Sequence, residues 1–213
     1  MWWAFLVIAL IGYLLGSVPV GLIAGRLVRG VDIRDYGSGK TGFTNALRII
    51  GLRASLPVLV GDVAKGALTV VIARLLSDNA YVQTVGGLAV VVGHDWPVFA
   101  GFRGGRGVST FFGVLLGMNP LVALVLAPVG VAIAVVTRYM SVMSISSAVL
   151  AACVLIGLAA ADVLPVAYAV YASLAGALVV VLHRENIQRL LAGTEPKIGR
   201  GGGRRAQKAP ESP

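Results

Sequence analysis

Seven stretches of this chain are apolar for long enough to exclude an ordinary water-soluble core: residues 2–25, 56–76, 81–100, 108–118, 121–136, 144–161 and 165–182. A bilayer span takes about 20 apolar residues. The fourth stretch is too short to cross alone at a right angle and reads as a half-helix buried in protein. Composition agrees, because 57% of the 213 residues are hydrophobic and 13% are charged, where a soluble domain carries about a quarter charged residues. The net charge of +9 and pI near 10.3 would suit a nucleic-acid binder, but mean hydropathy of +0.88 does not. The expected class is an all-α polytopic membrane helix bundle with no nucleic-acid partner.

The basic residues orient it. All Lys and Arg except Lys65 and Arg74 fall in alternate connections, in the first loop (Arg26 to Arg53), beside Arg103 and Arg106, at Arg138, and after the last span. The opposite connections hold Asp78 and Asp162 and no base. The positive-inside rule then puts the N-terminus outside and the C-terminus in the cytoplasm, which requires an odd number of crossings. Met1-Trp2-Trp3 runs straight into the first apolar stretch without a basic leader, so that stretch is expected to be retained. Cys153 has no partner in the chain and reads as helix packing. Gly12/Gly16, Gly21/Gly25 and Gly113/Gly117 have the small-xxx-small spacing that lets membrane helices approach closely. Residues 1–198 form the membrane domain, and residues 199–213 read as a disordered basic cytoplasmic tail against anionic lipid.

Polar residues cluster in the cytoplasmic connections. Residues 32–48 contain Gly37, Gly39 and Gly42 at G-x-G-x-x-G spacing, but neither a strand nor a βαβ unit frames them. A Walker reading fails too, because Arg34 stands where its first glycine belongs. What the segment supplies is backbone N–H groups in a turn, with Ser38, Thr44, Asn45 and Arg48 beside them. That set can bind phosphate or be a plain positive-inside loop. Residues 101–110 place Arg103, Gly104, Gly105, Arg106 and Gly107 directly before a short helix, a second phosphate-site pattern. The alternative is a topogenic loop. His94 and Asp95 at a span end read as structural. Arg138 to Ser144 form a third cluster. His183, Glu185 and Asn186 form a fourth, either a general-base assembly or a helix cap with a salt bridge. Asp62 and Lys65, at i,i+3, are either a functional intramembrane pair or a bundle-locking bridge.

These clusters admit an enzyme or a transporter of a phosphorylated metabolite. A transporter tends to place its groups near the midplane in repeated halves, and here they crowd one face with no repeat. The acyltransferase signature H-x-x-x-x-D fails, since Phe99 and Gln188 stand five residues after His94 and His183.

Taken in order, the motifs resemble the PlsY family of bacterial glycerol-3-phosphate acyltransferases. They are Gly16-Ser17-Val18-Pro19, Gly37-Ser38-Gly39 with Thr44-Asn45 and Arg48, Asp62-x-x-Lys65-Gly66, Gly93-His94, Phe102-Arg103-Gly104-Gly105-Arg106-Gly107-Val108, His183-Arg184-Glu185-Asn186-Ile187, and Gly193-Thr194-Glu195-Pro196-Lys197-Ile198-Gly199. The resemblance implies a seven-span inner-membrane enzyme that moves a fatty acyl group from acyl phosphate to the 1-hydroxyl of sn-glycerol 3-phosphate. It implies catalytic roles for Ser38, Arg48, His183, Glu185 and Asn186. Substrate and phosphate binding would fall to Thr44, Asn45, Arg103, Gly104, Gly105, Arg106, Gly107 and Ser144, with Ser141 competing for the last place. Lys40 stands where the family often has Asn, and Arg106 where Lys is usual. The implied partners are the two substrates and the bilayer, and the expected state is a monomer. Acyl phosphate is an activated mixed anhydride, so the expected chemistry needs no metal or cofactor, only positioning and charge stabilisation. Either His183 or a substrate phosphate oxygen takes the hydroxyl proton.

Overall fold

The computed structural model describes residues 2–200 and 203, and the rest of the expected basic tail lies outside them. Among the described residues the chain forms nine α-helices: α1 (Trp2–Gly16), α2 (Val20–Arg29), α3 (Phe43–Leu76), α4 (Ala80–Asp95), α5 (Val108–Met118), α6 (Pro120–Thr137), α7 (Met140–Ala160), α8 (Val166–Leu182) and α9 (Arg184–Leu191). The all-helical expectation holds.

Several boundaries differ from the sequence reading, each for a local reason. The first apolar stretch breaks at Ser17-Val18-Pro19, because proline has no amide to donate and disfavours helical geometry in the residue before it. α3 begins at Phe43, so Thr44, Asn45 and Arg48 sit on helix rather than in a turn. It kinks at Gly51, whose φ of 80° only glycine adopts cheaply. The third stretch stops being helical at Asp95, and α9 follows α8 after a 55° bend. By length and hydropathy, four helices among the described residues can cross a membrane, with α1 and α2 taken together. The number is five if the bent α8–α9 pair counts as one.

The bundle packs α1 on α4, α3 on α5 and α7 on α8. Two of the three glycine pairs, Gly12/Gly16 and Gly113/Gly117, lie at such approaches, while Gly21 and Gly25 on α2 press instead on the first loop at Val31, Ile33 and Thr41. A methyl on Gly12 would come within 2.8 Å of the Gly86 carbonyl oxygen, and one on Gly113 would meet the Val63 carbonyl. The core gathers Val70, Val90, Phe111, Leu115, Leu155 and Tyr171. Phe111 and Tyr171 stack at 5.5 Å between centroids. The Tyr171 hydroxyl donates to the Phe111 carbonyl at 3.1 Å, which satisfies the one polar atom that this ring buries. The outer surface inverts the pattern of a soluble protein, with Leu6, Val60, Leu75, Leu124 and Val136 exposed along α1, α3 and α6. An apolar surface of that extent is stable against lipid and not against water.

Candidate functional site

The first loop is organised by Asn45. Its amide nitrogen donates to the carbonyls of Ile33 (2.8 Å), Tyr36 (3.3 Å) and Lys40 (2.8 Å), while its side-chain oxygen accepts from the Ser38 amide at 2.9 Å. Asn45 is 1% exposed, so its hydrogen-bonding capacity is spent on the loop and not presented to a ligand. Arg34 pairs with Asp32 at 2.6 Å and donates to the Ala100 carbonyl at 2.7 Å. The Thr41 amide donates to the Gly104 carbonyl at 3.3 Å. The two glycine loops are therefore one unit.

The second loop uses its glycines for close seating more than for anion contact. The Gly104 amide donates to the Asp95 carbonyl (3.2 Å) and the Gly105 amide to the His94 carbonyl (3.1 Å), so these two donors are not free to wrap a phosphate. Gly104, Gly105 and Gly107 press on His94, Pro97 and Asp95. Of this loop only Arg106 reaches the cavity described next, and Arg103 is exposed.

Four segments meet at a cavity of about 420 Å³. The first loop and start of α3 contribute Ser38, Lys40, Thr44, Asn45 and Arg48. The second loop and α5 contribute Arg106 and Ser109. The start of α7 supplies Met140, Ser141 and Ser144, and the segment from His183 onward supplies His183, Asn186, Glu195 and Ile198. The far side is apolar, with Leu59, Val63, Phe112, Ala127, Val131 and Val135. One cavity thus joins a cationic, hydrogen-bonding end to an apolar trough along α6.

Arg106 is held where its charge is under-compensated. Burial is the main influence pulling its pKa below the ordinary guanidinium value, with Arg189 next, and its Nε has no hydrogen-bond partner among the described residues. An anion would supply both the charge and the bond. The His183 Nδ1 lies 2.7 Å from the Val179 carbonyl. A carbonyl only accepts, so Nδ1 carries the proton and a neutral ring keeps Nε2 as an acceptor. Burial, together with Arg106, pushes the His183 pKa down to about 4 despite the Val179 bond. Ser144 donates to the Met140 carbonyl at 2.8 Å, leaving its oxygen lone pairs as acceptors.

Glu195 stood in one of the motifs that carry the resemblance but was given no role at the site. It accepts from Asn186 at 2.7 Å and pairs with Arg189 at 2.8 Å. Burial raises its pKa, but the bonds from Asn186 and Arg189 outweigh burial and hold it below the usual carboxylate range. Glu185, by contrast, is exposed in the first turn of α9, where a carboxylate favours the helix dipole. It does not line the cavity. His94, read as structural, also lines it. The signals for both were local and weak: a lone acid in a Gly-Thr-Glu-Pro-Lys segment, and a histidine at a helix end.

Residues 6–193 match the family model described as Glycerol-3-phosphate acyltransferase. The chain is 45% identical over 197 residues to the glycerol-3-phosphate acyltransferase of Parasynechococcus marenigrum (strain WH8102), covering 91% of this chain and 90% of that one. It is 40% identical over 191 residues to that of Thermoanaerobacter sp. (strain X514), covering 90% and 94%. Among solved structures, it matches PlsY, an integral membrane glycerol 3-phosphate acyltransferase, in its glycerol 3-phosphate form. That match has a TM-score of 0.84 at 39% identity, over 92% of this chain and 96% of that one. The lysophosphatidic acid form matches at 0.81 and 39% identity, over 91% and 94%.

Proposed function

The chain belongs to the glycerol-3-phosphate acyltransferase family and is an integral membrane acyltransferase of the PlsY type; we propose that its donor is acyl phosphate and its acceptor the 1-hydroxyl of sn-glycerol 3-phosphate. The products are 1-acyl-glycerol 3-phosphate and inorganic phosphate, the first acylation of phospholipid synthesis. The observation that carries this reading is a cavity with cations at one end and an apolar trough at the other. A lipid tail ending in a phosphate matches that polarity, and so does a small phosphorylated acceptor beside it.

The glycerol hydroxyl oxygen attacks the acyl carbon, the bond from that carbon to the phosphate oxygen breaks, and phosphate leaves with the electron pair. Arg48 and Arg106, with Lys40, hold two dianionic groups together and offset their repulsion. That is mostly catalysis by positioning and electrostatics. Ser38, Thr44 and the Asn186 amide supply short donors at the phosphates, while the Ser144 oxygen, its proton held by the Met140 carbonyl, accepts from a glycerol hydroxyl. His183 accepts the hydrogen bond of the attacking hydroxyl at Nε2 and aims it. With a pKa near 4 the imidazole only relays that proton, taking it as the new C–O bond forms and passing it to the departing phosphate, whose second pKa near 6 makes it the stronger base. Arg103, Gly104, Gly105, Gly107 and Glu185 act outside the cavity, shaping the loop and the start of α9.

The same reading places the protein in a bacterial plasma membrane as a monomer, with the cavity on the cytoplasmic face. Four connections meet at that cavity, which supports α3/α4, α5/α6 and α7/α8 as out-and-back pairs and hence seven passes. The basic residues concentrate at the same end, which supports an outside N-terminus and a cytoplasmic C-terminus. A donor panel tests the chemistry. Purified protein in lipid nanodiscs receives labelled glycerol 3-phosphate with acyl phosphate, acyl-coenzyme A or an acyl-carrier-protein thioester. Lysophosphatidate should form with acyl phosphate alone, and equal rates with a thioester would overturn the donor assignment.

A further inference from the structure

The proposed mechanism leaves two titratable side chains on the cavity wall unused, and of these Glu195 is already taken by Asn186 and Arg189. His94 ends α4, is 5% exposed and lines the cavity beneath the second glycine loop. Its Nδ1 is 2.8 Å from the Lys65 Nζ and 3.3 Å from an Asp62 carboxylate oxygen. Lys65 is itself pinned, with its Nζ 2.9 Å from Asp62 and donating to the carbonyls of Gly16 at 3.0 Å and Val18 at 3.3 Å. An ammonium has only donors, so the shortest of the His94 contacts makes Nδ1 an acceptor and leaves the proton of a neutral ring on Nε2. At the other edge, a methyl on Gly105 would fall on that Nε2. The missing side chain at position 105 is what leaves room for this end of the ring.

We infer that His94 is a further substrate-facing residue, whose Nε2–H donates to a substrate oxygen, and that Lys65, its charge balanced by the buried Asp62, serves to hold that tautomer. The two histidines of the chain then line one cavity with opposite polarity. His183 offers an acceptor because Val179 holds its Nδ1 proton, and His94 offers a donor because Lys65 occupies its Nδ1. An acceptor suits the hydroxyl that attacks, and a donor suits the oxygen on which charge develops, a phosphate or acyl oxygen. The assignment also gives the pair a use. A buried ion pair is weak evidence for stability, since well-packed apolar residues of similar volume often serve as well, but no apolar residue could donate to Nδ1.

This inference rests on the acyl-transfer reading, and its test separates the two. With only two histidines in the chain, side-chain 15N spectra of histidine-labelled protein are assignable by comparison with His183→Gln, and they report tautomers without any turnover. The expected result is Nε2–H at His94 and Nδ1–H at His183, with the His94 signal moving on addition of glycerol 3-phosphate and inorganic phosphate. The same tautomer at both residues, or a His94 signal that the ligands leave in place, overturns the inference even if acyl transfer is demonstrated. Kinetics supply the second arm, on variants whose melting and gel filtration match the wild type. His94→Leu should lower kcat by about 100- to 1000-fold with little change in KM. His94→Gln, which restores an N–H near the Nε2 position, should recover most of it. The apolar pair Asp62→Leu with Lys65→Met should lower kcat in the wild-type background and not further in His94→Leu. Full activity in His94→Leu, or equal losses in the Leu and Gln variants, overturns the inference as well. A wild-type protein that transfers no acyl group contradicts the functional reading instead, and the spectra still decide the tautomers.

Discussion

Asn45 governs the site without offering it a ligand atom, because three carbonyls and the Ser38 amide consume its side chain. Asn45→Ala should therefore unseat Ser38 and the loop as a whole. We expect kcat/KM for glycerol 3-phosphate to fall by about tenfold or more and the melting temperature to drop, since each buried partner left unsatisfied costs about 1–3 kcal/mol. Wild-type kinetics in that variant would show the loop to be ordered by something else. The cations behave differently. Arg48→Ala should abolish nearly all turnover while leaving membrane insertion and melting intact, and retained activity would remove Arg48 from the site. His183 supplies a pH signature. Its folded pKa, near 4, lies below the ordinary value near 6.5, so the unfolded chain takes up a proton first as the pH falls. The stability it contributes is complete above pH 6.5 and is lost between there and pH 4. Melting curves should fall more steeply over that window in the wild type than in His183→Gln, and parallel curves would contradict the buried neutral imidazole. Arg48, Arg106, His183 and Asn186 were legible as candidates because cations and short polar groups beside glycines, in a chain otherwise apolar, have few structural uses. Glu195 and His94 were not, since their partners Asn186, Arg189 and Lys65 reach them only through the fold.

Among the elements, helix existence followed from hydropathy, and helix ends did not. α5 has the bounds expected for it. α3 instead extends back through Arg48, because a polar helical turn looks like loop to a hydropathy count and only the positive φ at Gly51 reveals the join. Two of the three small-xxx-small spacings located helix contacts, since close approach leaves no room for a Cβ, as at Gly113 against the Val63 carbonyl, whereas Gly21 and Gly25 mark where the first loop seats on α2. Gly113→Ala should force α3 and α5 apart and destabilise the protein by about 1–3 kcal/mol, read by unfolding in mixed micelles. An unchanged unfolding midpoint would mean that the contact is looser than the geometry indicates. The second glycine loop carries a different lesson. Sequence suggested that its amides cradle an anion, but the ends of Gly104 and Gly105 are taken by α4. Glycine there serves close packing, and the charge is left to Arg106.

For the whole molecule, the +9 charge of a greasy chain divides between the residues proposed to orient it and the few, Lys40, Arg48 and Arg106, that line the cavity. Orientation is testable with single cysteines after Cys153, exposed on α7, is replaced by serine. A cysteine at Asp162 should react with an impermeant maleimide on intact cells, and one at Arg184 only after the membrane is opened; the reverse pattern would invert the topology. The account as a whole depends on two phosphates and an acyl tail sharing one cavity. Its most direct test is the stoichiometry of the reaction, with purified protein in lipid, acyl phosphate as the sole donor, and phosphate and lysophosphatidate quantified together while glycerol 3-phosphate is varied. The account predicts one phosphate released per lysophosphatidate formed, with release saturating in the acceptor. Phosphate release indifferent to glycerol 3-phosphate, or no lysophosphatidate from folded protein, would contradict it.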